Sequence, residues 1–196
     1  LTGAAKSDSL ANMQLRLPVL VIGGGLTGID TATESLAYYP VQVEKFLARF
    51  ESLCAQRGEA TIRASWAAEE SEIGDEFIRH AKAIRAERAR AAATGTPARI
   101  LELLNSWGGV TLAYRKRMFY SPAYTLNHEE IEKALEEGIV YAECLNPQAV
   151  VVDSFGAACA MKFRAQVRDA DGKWSDGEEV TLPGRAIFVA AGTHPN

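Results

Sequence analysis

Apolar positions along this chain follow two spacings, continuous and helical, and the spacing changes where the element changes. Pro18-Val-Leu-Val-Ile22 is an unbroken apolar run, the pattern of a short strand buried on both faces of a parallel sheet. Three glycines follow, and then a stretch from Leu26 to Ala37 with helical character, expected to stop before Pro40. In residues 41–57, Val43, Phe46, Leu47, Phe50 and Leu53 recur at spacings of three and four, predicting a second helix. Residues 68–93, AEESEIGDEFIRHAKAIRAERARAAA, carry only Ile73, Phe77, Ile78 and Ile84 as bulky apolar side chains and predict a long, mostly solvated helix. TGTPARILELLNSWGG predicts the next one, with Thr96 as cap, Pro97 at the first position and Gly108 as the stop.

A second strand is predicted only at residues 110–115, VTLAYR. After a loop with Pro122, residues 127–138 (NHEEIEKALEEG) predict a helix opened by an Asn127–Glu130 capping box and closed by Gly138. A strand is expected at 139–144. Beyond it the pattern is β-rich at 148–153, 159–168 and 178–182, with a hairpin turn at Asp171-Gly172. Residues 185–192, RAIFVAAG, predict a last buried strand. The order argues for an α/β fold: a Rossmann-like open parallel sheet with a β-meander excursion and a helical insertion, at about 40–108, after the first helix. The charged remainder of that insertion predicts a small helical lobe on one edge of the sheet rather than a second independent core.

Composition narrows the function classes. The chain has 196 residues, 47% hydrophobic and 23% charged, ordinary for a globular protein. Its net charge of −4 supplies no basic field, so neither nucleic acid nor an anionic membrane is expected as a partner. No apolar run approaches the ~20 residues that span a bilayer, and the N-terminus lacks the layout of a secretory signal. The first residue is not Met, which suggests a piece excised from a longer protein. Cys54, Cys144 and Cys159 are scattered and form no C-x-x-C pair, so they are expected to be structural thiols in a reducing, cytoplasmic setting. His80, on a helix expected to be exposed, His128, in a first turn, and His194, near the end of the chain, show no metal-ligand spacing. No metal site and no catalytic residue is expected.

The chemistry sits in the glycines. Gly23, Gly25 and Gly28 fit G-x-G-x-x-G, with Gly24 between the first two. In such a turn the first glycine makes the bend, the second lets backbone approach a pyrophosphate, and the third lets helix and strand pack. The helix N-terminus, at Leu26 and Thr27, then offers amides and a hydroxyl to phosphate. The acidic residue that holds a ribose 2′-hydroxyl normally follows ~20 residues on. Here the end of the next strand comes 87 positions after Gly28 (115 − 28) and reads Tyr114-Arg115-Lys116-Arg117. A basic cluster there suits a 2′-phosphate, which favours NADPH over NADH.

VIGGGLTGIDTATE, YRKRMFYSPAYTLNHEEIEKALEEGI and FVAAGTHPN resemble the NADPH-binding domain of the glutamate synthase small subunit and its relatives in the pyridine nucleotide–disulfide oxidoreductase superfamily. The resemblance covers residues 15–38 and 109–196 and leaves out the helical insertion. It implies that Gly23, Gly25 and Gly28, with Thr27, hold the pyrophosphate, and that Arg115 and Arg117 face the 2′-phosphate. It implies that Ala191 and Gly192, with Thr193, Pro195 and Asn196, return the chain to an FAD domain. Ser121-Pro122-Ala123 partly matches a Met-Pro-Ala loop of the family. The whole chain, residues 1–196, would then be the NAD(P)H-binding domain of a larger flavoprotein, inactive alone. It would present the nicotinamide to FAD held elsewhere in the parent, with an electron-acceptor subunit as a possible further partner.

Two rival readings stay open. One is a self-contained Rossmann dehydrogenase, which the absence of a Tyr-x-x-x-Lys pair weakens, since Tyr38 is followed four on by Gln42 and Tyr120 by Tyr124. The other is a nucleotide-sensing or interaction module that docks a partner through the helical insertion.

Overall fold

The computed structural model describes Lys6 and residues 13–168 and 172–192. Thr193 to Asn196, including His194, and Asp171 of the expected hairpin turn lie outside the described residues. The chain is α/β and divides into two compact units. One comprises residues 15–36 and 104–196, the other residues 1–14 and 37–103.

The first unit holds both sheets. Strands β1 (Val19–Ile22), β2 (Val110–Ala113), β3 (Val140–Ala142) and β7 (Ala186–Val189) form a parallel sheet in the order β3-β2-β1-β7. β1 is central: Val19 pairs with Val110 on one side and Ala186 on the other, and Ile22 with Ala113 and Val189. All four residues of β1 are buried. Leu20, Ile22 and Ala113 face a cluster with Met161 and Phe163. Those two come from an antiparallel three-stranded sheet, β4 (Leu145–Val152), β5 (Ala158–Arg168) and β6 (Trp174–Pro183). The alternate positions meet helix; Leu112 lies 3.6 Å from where a Cβ on Gly28 would sit. A continuous apolar strand is the expected consequence of cover on both faces.

Helix α1 (Leu26–Arg57) departs from expectation by continuing through Pro40. An internal proline costs about 3 kcal/mol. Tyr39, Val43 and Leu47 are each 1% exposed or less, and burying one such side chain is worth about 1.5–3 kcal/mol, enough to offset it.

The second unit takes up the later turns of α1, with α2 (Glu59–Ala64) and α3 (Ala68–Thr94). Here one expectation is corrected: the unit has an apolar core of its own, with Phe77 edge-on to both Tyr39 and Phe46. Most of α3 lies outside that core, as expected, and its inner face buries Ile73, Phe77, Ile78, His80, Ala81 and Ile84. Its start is held by the Glu70 carboxylate accepting from the Ala67 amide at 2.7 Å, and its end by Gly95 in the left-handed conformation. The next helix, α4 (Ile100–Ser106), starts later than the Thr96-Pro97 signal predicts. The reason is local: the Arg99 amide donates to Glu87 Oε1 at 2.8 Å, and the Thr96 hydroxyl is engaged by Arg90 and Thr94.

In the sheet unit, helix α5 (Pro122–Glu136) starts earlier than expected, on a Ser121 cap that accepts from the Tyr124 amide. The predicted start survives inside it as a kink, with Asn127 at φ −158° and its side chain 3.4 Å from Glu130. Among the described residues no helix is long and apolar enough to cross a membrane.

His80, expected on a solvated face, is 6% exposed, with Nδ1 2.7 Å from the Tyr39 hydroxyl. Burial, with Arg79 nearby, pushes its pKa down to about 4. The folded chain therefore keeps the imidazole neutral, while the unfolded chain protonates it below pH ~6.5. The stabilisation is present in full above that pH and is lost as pH falls toward 4, by up to about 3 kcal/mol. Urea midpoints at pH 7 and 4.5 are expected to fall less in His80→Gln than in the wild type. Equal falls would show that His80 does not carry the effect.

Candidate functional site

The carboxyl ends of β1, β2 and β7 lie side by side, and the chain builds outward from β1 to β2 and β3 on one side and to β7 on the other. In open α/β sheets a crevice forms at such a reversal, outside the carboxyl ends of the strands. A cleft of about 790 Å³ opens there. Of the residues singled out from sequence, Gly23, Gly24, Gly25, Thr27, Arg115, Ala191 and Gly192 line it. Pro122 lines it as well. Leu26 and Gly28, as the first turn of α1, and Lys116 and Arg117, as exposed loop residues, are not among its walls. The Lys116 carbonyl instead accepts from the Cys144 amide, and Arg117 leads into a 3₁₀ turn at Met118–Tyr120.

The glycines have different physical reasons. A Cβ on Gly23, at φ +149°, would stand 2.2 Å from the Ala190 carbonyl oxygen, because β1 and β7 leave the sheet in contact there. A Cβ on Gly24 would stand 2.5 Å from the Tyr114 ring, and one on Gly28 2.9 Å from the Gly23 carbonyl oxygen. Gly25 is the exception, with nothing within 4 Å of its Cβ position, so the missing side chain leaves open cleft. The turn is clamped by hydrogen bonds from the Gly23 amide to Ala113, from Ala123 to the Gly24 carbonyl, and from Gly28 to the Gly25 carbonyl. The Gly28 and Ile29 amides are taken by the Gly25 carbonyl, which leaves those of Leu26 and Thr27 without a backbone acceptor among the described residues, and no acidic residue sits in that first turn to occupy them.

Arg115 is exposed on the β2 side of the cleft, and no carboxylate among the described residues pairs with it. One wall was not legible from sequence. The Leu145 amide donates to the Tyr114 carbonyl at 3.0 Å, which lays the start of β4 against the end of β2 and adds Asn146 and Pro147 to the lining. The signal available was position alone, a polar residue just past the end of a parallel strand.

The remaining titratable groups add little. Desolvation raises the Tyr141 hydroxyl to about 12 and pushes the Cys144 thiol up, which keeps both neutral near pH 7. All three cysteines are free, and among the described residues no three His, Cys, Asp or Glu side chains converge as metal ligands do.

The Gly24–Tyr114 contact makes a prediction independent of any ligand. Gly24→Ala is expected to destabilise the chain by about 1–3 kcal/mol through overpacking. Combining it with Tyr114→Ala should recover part of that loss in a double-mutant cycle read by urea denaturation. Strict additivity of the two losses would contradict the contact.

No protein-family model matches the chain. It is 36% identical over 161 residues, 82% of its length, to the uncharacterized protein RP006 of Rickettsia prowazekii (strain Madrid E). The chain spans about a fifth of the length of that relative (20%).

Proposed function

We propose that the cleft binds NADPH, and that the chain is the Rossmann-type NAD(P)H-binding domain of an FAD-dependent oxidoreductase resembling the glutamate synthase small subunit. The observation that carries the reading is the turn at Gly23–Gly25 opening into the same cleft as Arg115. A pyrophosphate needs backbone amides with no side chain in front of them, and the open space before Gly25 suits that need. A ribose 2′-phosphate needs a cation where an NAD site has an acid, and Arg115 supplies it.

In this reading the amides at the start of α1 and the Thr27 hydroxyl hold the pyrophosphate, Arg115 holds the 2′-phosphate, and the β7 end, Val189 to Gly192, borders the nicotinamide. The bound cofactor supplies a hydride from nicotinamide C4 to N5 of a flavin held by another part of the parent protein. The chain itself binds, orients and shields; no side chain in it is required as acid, base or nucleophile. An electron-acceptor subunit and a cytoplasmic setting belong to the same proposal.

Calorimetric titration of the chain with NADPH and NADH tests the reading. Saturable binding with NADPH the tighter ligand is expected. Absence of binding by either, or equal affinity, would overturn the NADPH assignment.

A further inference from the structure

We infer that Asn146 is the base-reading residue of this cleft, its carboxamide hydrogen-bonding the amino-substituted edge of an adenine whose face lies against Pro147. This rests on the NADPH reading above. The order of the strand ends fixes the direction in which a dinucleotide lies. With the pyrophosphate at the glycine turn on central β1 and the 2′-phosphate at Arg115 on the β2 side, the adenosine half falls toward β2 and the nicotinamide half toward β7. On the adenosine side the cleft is bounded by the start of β4, brought there by the Leu145–Tyr114 hydrogen bond. Asn146 is its polar residue.

Asn146 also has capacity to spare. Its backbone is committed, pairing in register with Arg164 and accepting from Gln148 Nε2 at 3.3 Å. Its side-chain carboxamide has no hydrogen-bond partner among the described residues. A carboxamide offers one acceptor and two donor hydrogens from a single planar group. Adenine presents an amino donor beside a ring-nitrogen acceptor, the complement that asparagine reads elsewhere. Arg115 cannot do this work, having donors only.

The test measures dissociation constants of NADPH and of its hypoxanthine analogue, in which a carbonyl replaces the adenine amino group. Wild type, Asn146→Ala and Asn146→Asp are compared, with circular dichroism confirming that each is folded. Asn146→Ala is expected to weaken NADPH about fivefold, the worth of a single hydrogen bond. The edge read is the amino group with N7, where the analogue offers only acceptors; a carboxylate also only accepts, so Asn146→Asp still serves the amino group but repels the carbonyl. The ratio of the two dissociation constants should then rise about fivefold or more above the wild-type ratio. The ratio cancels the repulsion between the new charge and the cofactor phosphates, which both ligands share. An unchanged ratio in all three proteins, with Arg115→Ala still weakening NADPH, would overturn the role of Asn146 and leave the NADPH reading standing. Failure of the wild type to bind either dinucleotide would overturn both.

Discussion

Gly23→Ala is expected to cost the sheet unit about 4 kcal/mol or more, the largest loss anticipated for any single methyl added to this chain. Two causes act together. The backbone at φ +149° is one that residues with a Cβ rarely adopt. The added carbon would also stand 2.2 Å from a carbonyl oxygen, the Ala190 carbonyl, which is backbone and cannot rotate away. Relief requires β1 and β7 to separate where Ala190 donates to the Ile22 carbonyl at 2.7 Å. Gly25→Ala is the control. Its Cβ meets nothing, so stability should change by no more than about 1 kcal/mol while the methyl enters the cleft and weakens dinucleotide binding. Urea denaturation of the two variants side by side decides the matter. Similar midpoints would mean that the close approach of β1 and β7 is not as described.

The second large effect concerns Arg115. If it pairs with a 2′-phosphate, Arg115→Ala should weaken NADPH by roughly 10- to 150-fold, since a hydrogen bond to a charged group is worth about 1.5–3 kcal/mol. NADH, lacking that phosphate, should bind the variant and the wild type alike. Lys116→Ala and Arg117→Ala should each cost only a fewfold loss, because neither side chain lines the cleft and a solvated charge acts weakly. Titrations at two salt concentrations separate the cases: a direct pair resists added salt better than a general field. Equal losses for NADPH and NADH in Arg115→Ala would assign the arginine a structural role and remove the cofactor preference.

What could be read from sequence follows from how local each signal is. The Pro18–Ile22 run, the glycine turn and the start of α1 are written within a dozen residues, and the structure has a strand, turn and helix there. The placement of VTLAYR beside β1 depended on topology, yet a parallel strand needs a neighbour and few other runs were apolar enough. Pro40 misled because helix-breaking is a local cost, whereas the burial of Tyr39 and Val43 that offsets it comes from residues tens of positions away. His80 misled for the same reason: the charged neighbours on its helix describe the outer face, and only the fold shows that its own face meets Tyr39. Asn146 was invisible because its position depends on one backbone hydrogen bond to Tyr114, which has no side-chain signature. Local chemistry was legible; long-range company was not.

The central place of β1 also bears on how the chain reaches its fold. Val19 pairs with Val110, 91 residues on, and with Ala186, 167 residues on. Such distant pairings form slowly, because chain closure must precede any gain from contact. At translation rates of about 5–20 residues per second, the second partner emerges roughly 8–33 s after β1 itself. Until β2 emerges, about 5–18 s after β1, an uncharged strand has both edges open to neighbouring nascent chains, and the β7 edge stays open for the rest of the interval. The strand's brevity is what makes the wait tolerable. Four residues fall short of the six or seven that a self-associating cross-β segment needs, and Pro18 at its head has no amide to extend one.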